Sequence, residues 1–466
     1  MLKLYYTDKN MNIDINFLAI QNPWWAGKSF KFDPVLAVYN SKKLKWQPKI
    51  TDKIDLNRDN IYVLQGPRGV GKTTIIKLLI KNLVKKKKQE PKNVFYYSCH
   101  NISTYGQLNE LIKIFINNRR KKNKTTKRLY IFIDEVTLVK DWEKGFGFLK
   151  RAGLFKNVTV AATGSLLAPS KNKLKIRKDL LISSLEFGEF LKLLNPELYK
   201  KLKANSVNFK KYHKKLDYYL DIYFLTGGFI SAINDFNNYG AVKQERYSNY
   251  LYWLMADFAK LGRDIILFRQ ILEQVLENLG SPVGYGTLGK KTKARTHLTT
   301  REYINILESM FSLKTVYQTD AKGQIYKSKA KKIFFCDPFL FWIFYSHIYG
   351  SLNYWEFSRE RLHNENTFNN LTETAVFSHL IKKENIEFWG KEICFFRDNI
   401  KKKEINFIIK KNKKLTPILI DAGKNKADKK LIESAGFKNG IIISEKKMQL
   451  RENIKIMPLA YFLLFY

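Results

Sequence analysis

The eight residues Gly66-Pro67-Arg68-Gly69-Val70-Gly71-Lys72-Thr73 constrain this chain more than any other feature. They fit the spacing G-x-x-x-x-G-K-[ST]. A short apolar run, Ile61–Gln65, precedes them, and a helical pattern with Ile75, Ile76, Leu79, Ile80 and Leu83 follows. A glycine-rich turn between strand and helix lets the backbone curl until its N–H groups converge on a phosphate. The helix start adds a favourable dipole. Gly66 to Thr73, with Thr74, are therefore the candidate nucleotide-binding residues. Lys72 is placed to reach the β- and γ-phosphates, and the Thr73 hydroxyl to ligate Mg²⁺. ATP and Mg²⁺ are the expected cofactors.

Such a turn needs a parallel sheet around it. Further strands are predicted at Val94–Ser98, Leu129–Ile133, Val158–Ala162 and Leu181–Leu185. Their apolar residues run on without polar alternation, as in strands covered on both faces. Strand–helix alternation predicts a doubly wound α/β core. The run Leu129–Ile133 leads into Asp134-Glu135. An acid at the end of a second strand is what a phosphate loop requires to hold Mg²⁺, which makes Asp134 a metal candidate. Glu135 is the candidate catalytic base for the attacking water. A third strand ends Ala161-Ala162-Thr163-Gly164-Ser165. Strand C-termini line the ligand crevice of such sheets, so Thr163 and Ser165 are candidates to sense the γ-phosphate. Turn capping by their hydroxyls is the competing reading. Arg177 and Arg263 are candidate trans-acting arginines, with ion pairing as the plainer role.

At 466 residues, and roughly 100–200 per domain, the chain has room for about three domains. Five segments are expected: a lead-in over 1–60, the core over 61–185, a helical lid over 186–280, a helix-helix-hairpin unit over 281–330 and a C-terminal α/β domain over 331–466. The unit 281–330 has the order of a winged helix-turn-helix, its second helix opened by Thr299-Thr300. The formal charge is +41, so contact with a polyanion is one expectation. Only 16 of the 83 basic residues are arginine, the better reader of phosphates and bases, so a merely lysine-rich surface is the other. Cys99, Cys336 and Cys394 form no C-x-x-C pair, which excludes a Cys-based zinc site and suits a reducing cytosol. The N-terminus shows no apolar signal core, and the greasiest run, Phe339–Tyr349, is too short to span a bilayer. A soluble cytoplasmic protein without a membrane partner is expected.

Further blocks stand in order along the chain. They are Asn22-Pro23-Trp24-Trp25, Asp134-Glu135 with Asp141-Trp142, Thr163-Gly164-Ser165, Leu185-Glu186-Phe187-Gly188-Glu189-Phe190, Leu225-Thr226-Gly227-Gly228-Phe229, Ser281-Pro282-Val283 and Lys332-Ile333-Phe334-Phe335-Cys336-Asp337-Pro338. With the phosphate loop, this ordered set resembles a prokaryotic and archaeal AAA-type P-loop ATPase family whose members carry a C-terminal domain of unknown function. The resemblance implies an AAA-type core with a helical lid, a winged helix, and a C-terminal domain similar to PD-(D/E)XK nucleases. It also implies ATP binding. Trp24-Trp25 either closes over a nucleotide base or packs the lead-in on the core, and packing suits an aromatic pair better. Gly227-Gly228 reads as an interhelical turn.

A nuclease of that kind needs a helix Glu, then a hairpin with an Asp and an acid-x-Lys. Glu373 sits in the right helix, but Asn406 stands where the Asp belongs. Gly423 follows Asp421 where the Lys belongs, with Lys424 one place late. A one-residue slip turns a side chain to the opposite face of a strand. An inactive remnant is expected. The leading reading is an ATPase switch that binds duplex DNA, through Lys290, Lys291, Lys293, Arg295 and the helix Thr299–Met310, or a protein partner, with oligomerisation open. The alternatives are an ATP-dependent DNA-processing nuclease, in which Glu404 replaces the missing acid, and a non-hydrolysing nucleotide-binding scaffold.

Overall fold

Strands without polar alternation need cover on both faces, and in the computed structural model of the chain four of them assemble with a fifth, more polar strand into one parallel sheet. The structure describes residues 15–122, 127–167, 175–204, 209–350, 352–383, 393–398, 403–411, 414–421, 429–444, 447–450 and 452–466. It divides into two units, Met1–Ile182 and Ser183–Tyr466.

The first unit holds β1 (Ile61–Gln65), β2 (Val94–Ser98), β3 (Leu129–Asp134), β4 (Val158–Gly164) and β5 (Arg177–Leu181), in the order β2-β3-β4-β1-β5. Residues of β1, β3 and β4 are buried throughout. Phe95, Ile131, Ile133, Val160 and Ala162 pack with Leu108, Ile112 and Phe146 from the helices Tyr105–Lys122 and Trp142–Arg151. Each of the larger of these fully buried side chains, Val, Leu, Ile or Phe, contributes about 1.5–3 kcal/mol, so the apolar faces set the sheet. The register places Gln65 beside Gly164 and Ile133 beside Ala162. The ends of β1, β3 and β4 therefore open on one edge of the sheet. The fifth strand lies four residues earlier than the sequence predicts. It is an edge strand with Lys178 and Asp179 exposed, and it needs no continuous apolar run. Ile182, expected inside the strand, instead donates its N–H to Gln65 O at 2.7 Å.

The block Asn22-Pro23-Trp24-Trp25 caps the other edge. Among the described residues β2 has a strand neighbour on one side only, and its outward backbone groups are taken by lead-in side chains. Asn22 donates to Tyr96 O at 2.9 Å and accepts from Tyr96 N at 2.6 Å. Gln21 accepts from Ser98 N at 2.8 Å. The indole N–H groups of Trp24 and Trp25 both donate to Val94 O, at 2.9 and 2.8 Å. The tryptophans thus pack the lead-in on the core. An uncovered edge strand is a template for aggregation, and these side chains stand in for a sixth strand.

The second unit holds a seven-stranded mixed sheet of order β12-β11-β10-β9-β8-β6-β7. Its strands are β6 (Leu313–Thr319), β7 (Ile325–Phe335), β8 (Ile393–Asp398), β9 (Lys403–Lys411), β10 (Lys414–Ile420), β11 (Gly440–Ser444) and β12 (Ile454–Pro458). The hairpin read as a wing is β6 with β7. It continues past residue 330 and pairs in parallel with β8, so it forms one end of this large sheet. The helix His297–Ser309 starts before Thr299 and is capped by Thr296, whose hydroxyl accepts from Thr299 N. The greasy run forms the buried helix Pro338–Tyr349. No helix among the described residues is long and apolar enough to cross a membrane.

Asp337 ties several sequence blocks together. It caps the helix Pro338–Tyr349 through Phe339 N at 2.9 Å and accepts from Gly228 N at 3.1 Å and Ser184 Oγ at 2.5 Å. Lys382 Nζ lies 3.4 Å away and also donates to Leu185 O at 3.1 Å. A Cβ at Gly227 would lie 1.8 Å from Asp337 Oδ1, and one at Gly228 would lie 2.1 Å from Leu185 O. The glycine pair joins the helices Phe209–Thr226 and Ile230–Tyr239, and close approach to Asp337 and Leu185 is what requires it.

Replacing Asn22 by Ala leaves the N–H and C=O of Tyr96 unpaired. The first unit should lose about 2–6 kcal/mol, two backbone groups at roughly 1–3 each. Urea denaturation followed with light scattering should show an earlier transition and more aggregate than wild type. Coincident curves would contradict the edge-capping role.

Candidate functional site

Gly66 to Gly71 turn the chain from β1 into the helix Lys72–Lys81. Gly66 has no room for a side chain, since a Cβ there would lie 1.9 Å from Ile182 O. Gly71, at φ +96°, starts the helix from the left-handed region that favours glycine. Lys72 is buried, and its ammonium donates to Gly66 O and Pro67 O, both at 2.8 Å. Burial pulls its pKa down to about 8, with Glu135 and Asp134 opposing and Arg68 assisting.

Asp134 ends β3 and is the meeting point of three hydroxyls. Thr73 Oγ1, in the first turn of the helix, donates to it at 2.9 Å. Thr163 Oγ1, from β4, donates at 2.5 Å and accepts from Glu135 N at 2.9 Å. Tyr96 Oη, from β2, donates at 3.1 Å. Burial, then the charge of Asp134, raises the Tyr96 phenol far above its ordinary pKa, so it stays a donor. Hydrogen bonds to a charged acceptor are the strong ones, which is what a buried carboxylate needs.

Glu135 follows in the left-handed region at φ 54°, a strained position for a non-glycine residue. Ser165 Oγ donates to its Oε1 at 2.8 Å, and Arg68 Nη1 lies 3.9 Å from the same oxygen. Its Oε2 is buried without a hydrogen-bond partner among the described residues. Burial works to raise this carboxyl, but Lys72, Arg68 and Ser165 outweigh it and leave the pKa lowered. Glu135 is thus an ionised carboxylate with one uncommitted oxygen.

The structure brings Lys72, Thr73, Asp134, Glu135, Thr163 and Ser165 together. Arg177 is taken up by Glu143 and by Asp179 at 2.8 Å, and lies over the Trp142 ring. Arg263 pairs with Glu302 at 2.9 Å. Sequence reasoning missed Tyr96. The signal was its place on the strand beside β3, where Ser98 pairs with Asp134 and Tyr96 lies two residues earlier on the same face.

A second cluster lies in the C-terminal sheet. Asn406 Nδ2 donates to Glu373 Oε1 at 2.7 Å, and Asn406 Oδ1 accepts from Ile420 N at 2.9 Å. Lys332, on β7 and 1% exposed, pairs with Glu404 Oε1 at 2.5 Å. Burial, then Glu404, raises the Glu373 carboxyl, against Lys332 and Asn406. Lys332 was not foreseen as a member of this cluster. Gly423 and Lys424 lie outside the described residues. Elsewhere in the second unit, Lys290, Lys291, Lys293 and Arg295 are exposed between the helices Tyr285–Gly289 and His297–Ser309, and Lys291 pairs with Glu277 at 3.2 Å.

Residues 58–191 match the AAA domain family. Residues 217–344 and 368–462 match two domains of unknown function, DUF8612 and DUF4143. The chain therefore carries an AAA domain followed by these two. Among solved structures, the Aeropyrum pernix ORC1 protein in complex with DNA is 12% identical, with 67% of this chain and 92% of that chain aligned, at a TM-score of 0.29. Drosophila ORC bound to DNA is 16% identical, over 53% and 61%, at 0.23. PCH-2 of C. elegans is 15% identical, over 37% and 46%, at 0.22, so the match spans less than half of that chain. The sequence matches no curated protein.

Thr163 serves Asp134 and Glu135 through one hydroxyl. Thr163→Val keeps the shape, leaves Glu135 N–H unpaired in the interior, and should cost about 1–3 kcal/mol in chemical denaturation. Thr163→Ser should restore most of that loss. A valine variant as stable as wild type would contradict the bridging role.

Proposed function

We propose that the AAA domain is a Mg²⁺-dependent ATP hydrolase, and that nucleotide turnover drives a switch acting on a partner. The observation that carries this is Asp134, with the Thr73 hydroxyl at 2.9 Å and the uncommitted Oε2 of Glu135 on the next residue. The donor set suits a hard divalent ion, with oxygen ligands from a carboxylate and a hydroxyl at the start of a helix. Asp134 and Thr73 would hold Mg²⁺, which neutralises charge on the phosphates when bound. The N–H groups of the loop and the helix start bind the phosphates. Lys72 exchanges its two carbonyl partners for phosphate oxygens. Glu135, ionised and fixed by Ser165 and Arg68, accepts a hydrogen bond from the attacking water and draws off its proton. Thr163 holds the two acids in register.

The C-terminal cluster supports a binding role without cleavage. The Lys332 ammonium sits against Glu404, the acid that would have replaced the missing one, and the neutral Asn406 holds Glu373. A built-in cation and an amide take up what a divalent metal would need. The exposed basic loop Lys290–Arg295 is the candidate contact for duplex DNA, with an acidic protein surface as its rival.

Lys72→Ala should abolish tight ATP binding, whereas Glu135→Gln should bind ATP and turn it over at least ~10²-fold more slowly. Equilibrium binding and phosphate release check both. Wild-type turnover by Glu135→Gln would remove Glu135 as the base, and no turnover by wild type would favour the scaffold reading.

Labelled duplex DNA offered with Mg²⁺ or Mn²⁺ should remain uncut. Its binding should weaken with salt and lose much of its affinity and salt slope when Lys290, Lys291, Lys293 and Arg295 are changed to Ala. Cleavage abolished by Glu373→Ala would reinstate the nuclease. An isotherm unchanged by the four substitutions would shift the partner to a protein.

A further inference from the structure

The Tyr96 phenol reaches Asp134 from a strand that no phosphate-loop pattern names. Its ring carries a buried cation on the other side of the same chain of contacts. Lys77, on the phosphate-loop helix, places its ammonium 3.7 Å from the Tyr96 ring centroid and 5.5 Å from that of Trp24. The ammonium is held by Asp33 Oδ2 at 3.1 Å, and both side chains are almost fully buried. Asp33 is itself fixed, since its Oδ1 accepts from Val35 N and Leu36 N at 3.1 Å each as the cap of the helix Pro34–Ser41. The sequence Asp33, Lys77, Tyr96, Asp134 thus runs from the lead-in to the end of β3 without a break.

Each link has a physical effect on the next. A cation over an aromatic face is held by the ring quadrupole and draws electron density from the ring. An electron-poor phenol is a stronger O–H donor. Its hydrogen bond fixes Asp134 Oδ2, the oxygen that Thr73 also addresses. Carboxylates that ligate a metal depend on such outer partners for their orientation.

We propose that Tyr96 is a positioning residue that orients Asp134 for a divalent cation, with Lys77 and Asp33 polarising and holding its ring. This rests on the Mg²⁺ reading of the Asp134 site. It also gives the lead-in a function, because Asp33 belongs to the segment that caps the sheet edge.

The test is equilibrium binding of a fluorescent ATP analogue to the full chain, titrated with Mg²⁺ and repeated in EDTA. Tyr96→Phe keeps the ring and its cation and removes only the hydroxyl. The half-saturating Mg²⁺ should rise about tenfold, with the affinity in EDTA unchanged. Lys77→Met should move the Mg²⁺ curve in the same direction by a smaller factor. Tyr62→Phe removes a hydroxyl of the same sheet that bonds Asp55 instead, and should leave the curve in place. Superimposable Mg²⁺ curves for Tyr96→Phe and wild type would overturn the inference. Were Tyr96→Phe not to fold, a wild-type curve for Lys77→Met would do the same. If wild-type affinity ignores Mg²⁺, the metal reading of the site falls and this inference with it. If wild type responds and Tyr96→Phe tracks it, the positioning role alone falls.

Discussion

A single carboxylate, Asp134, draws three hydroxyls from three other segments of the first unit to the end of β3. Thr73 comes from the helix after β1, Tyr96 from β2 and Thr163 from β4. That convergence requires a parallel sheet, because only parallel neighbours bring these strand ends to one edge. It also requires the order observed, with β3 between β2 and β4. The apolar faces supply most of the stability, and the carboxylate gathers the hydroxyls at that end of the sheet. Burying a charge is costly unless it is hydrogen-bonded, and three donors meet that cost while leaving the charge itself uncancelled.

The chain treats several other acids differently. Asp337 is met by Lys382, Asp33 by Lys77 and Glu404 by Lys332. In each of those pairs a lysine of the protein supplies the positive charge. Asp134 has neutral donors, so its charge stays available to an outside cation. Glu135 differs again: Arg68 lies near one of its oxygens, and the other is left without a partner among the described residues. The contrast separates acids paired with a lysine of the protein from the two the proposed function calls on. It follows from side-chain contacts that composition alone does not reveal.

The phosphate loop made the first unit legible from sequence. Its spacing requires strand then helix, and apolar runs then locate β1 to β4 within two residues at their ends. The two acids at the end of β3 and the two hydroxyls at the end of β4 follow from the rule that strand ends line the crevice. β5 was misplaced because edge strands carry polar residues, and Lys178 and Asp179 hide its pattern. Tyr96 and Lys332 were invisible for another reason. Each matters only through a partner far off in sequence, and a partner of that kind is defined by strand order, which no local pattern encodes. In sequence, the tryptophans of the block Asn22–Trp25 read as closing over a nucleotide base or, better, as packing the lead-in on the core. The block's role as a substitute strand depends on indole N–H and amide groups meeting one exposed backbone edge.

Phosphate release from ATP by the purified full chain, compared in Mg²⁺ and in EDTA, tests the central claim most directly. Asp134 held by hydroxyls, beside a Glu135 oxygen without a partner among the described residues, predicts steady release in Mg²⁺ and none in EDTA. Equal rates in the two conditions, or tight ATP binding with no release in Mg²⁺, would contradict it.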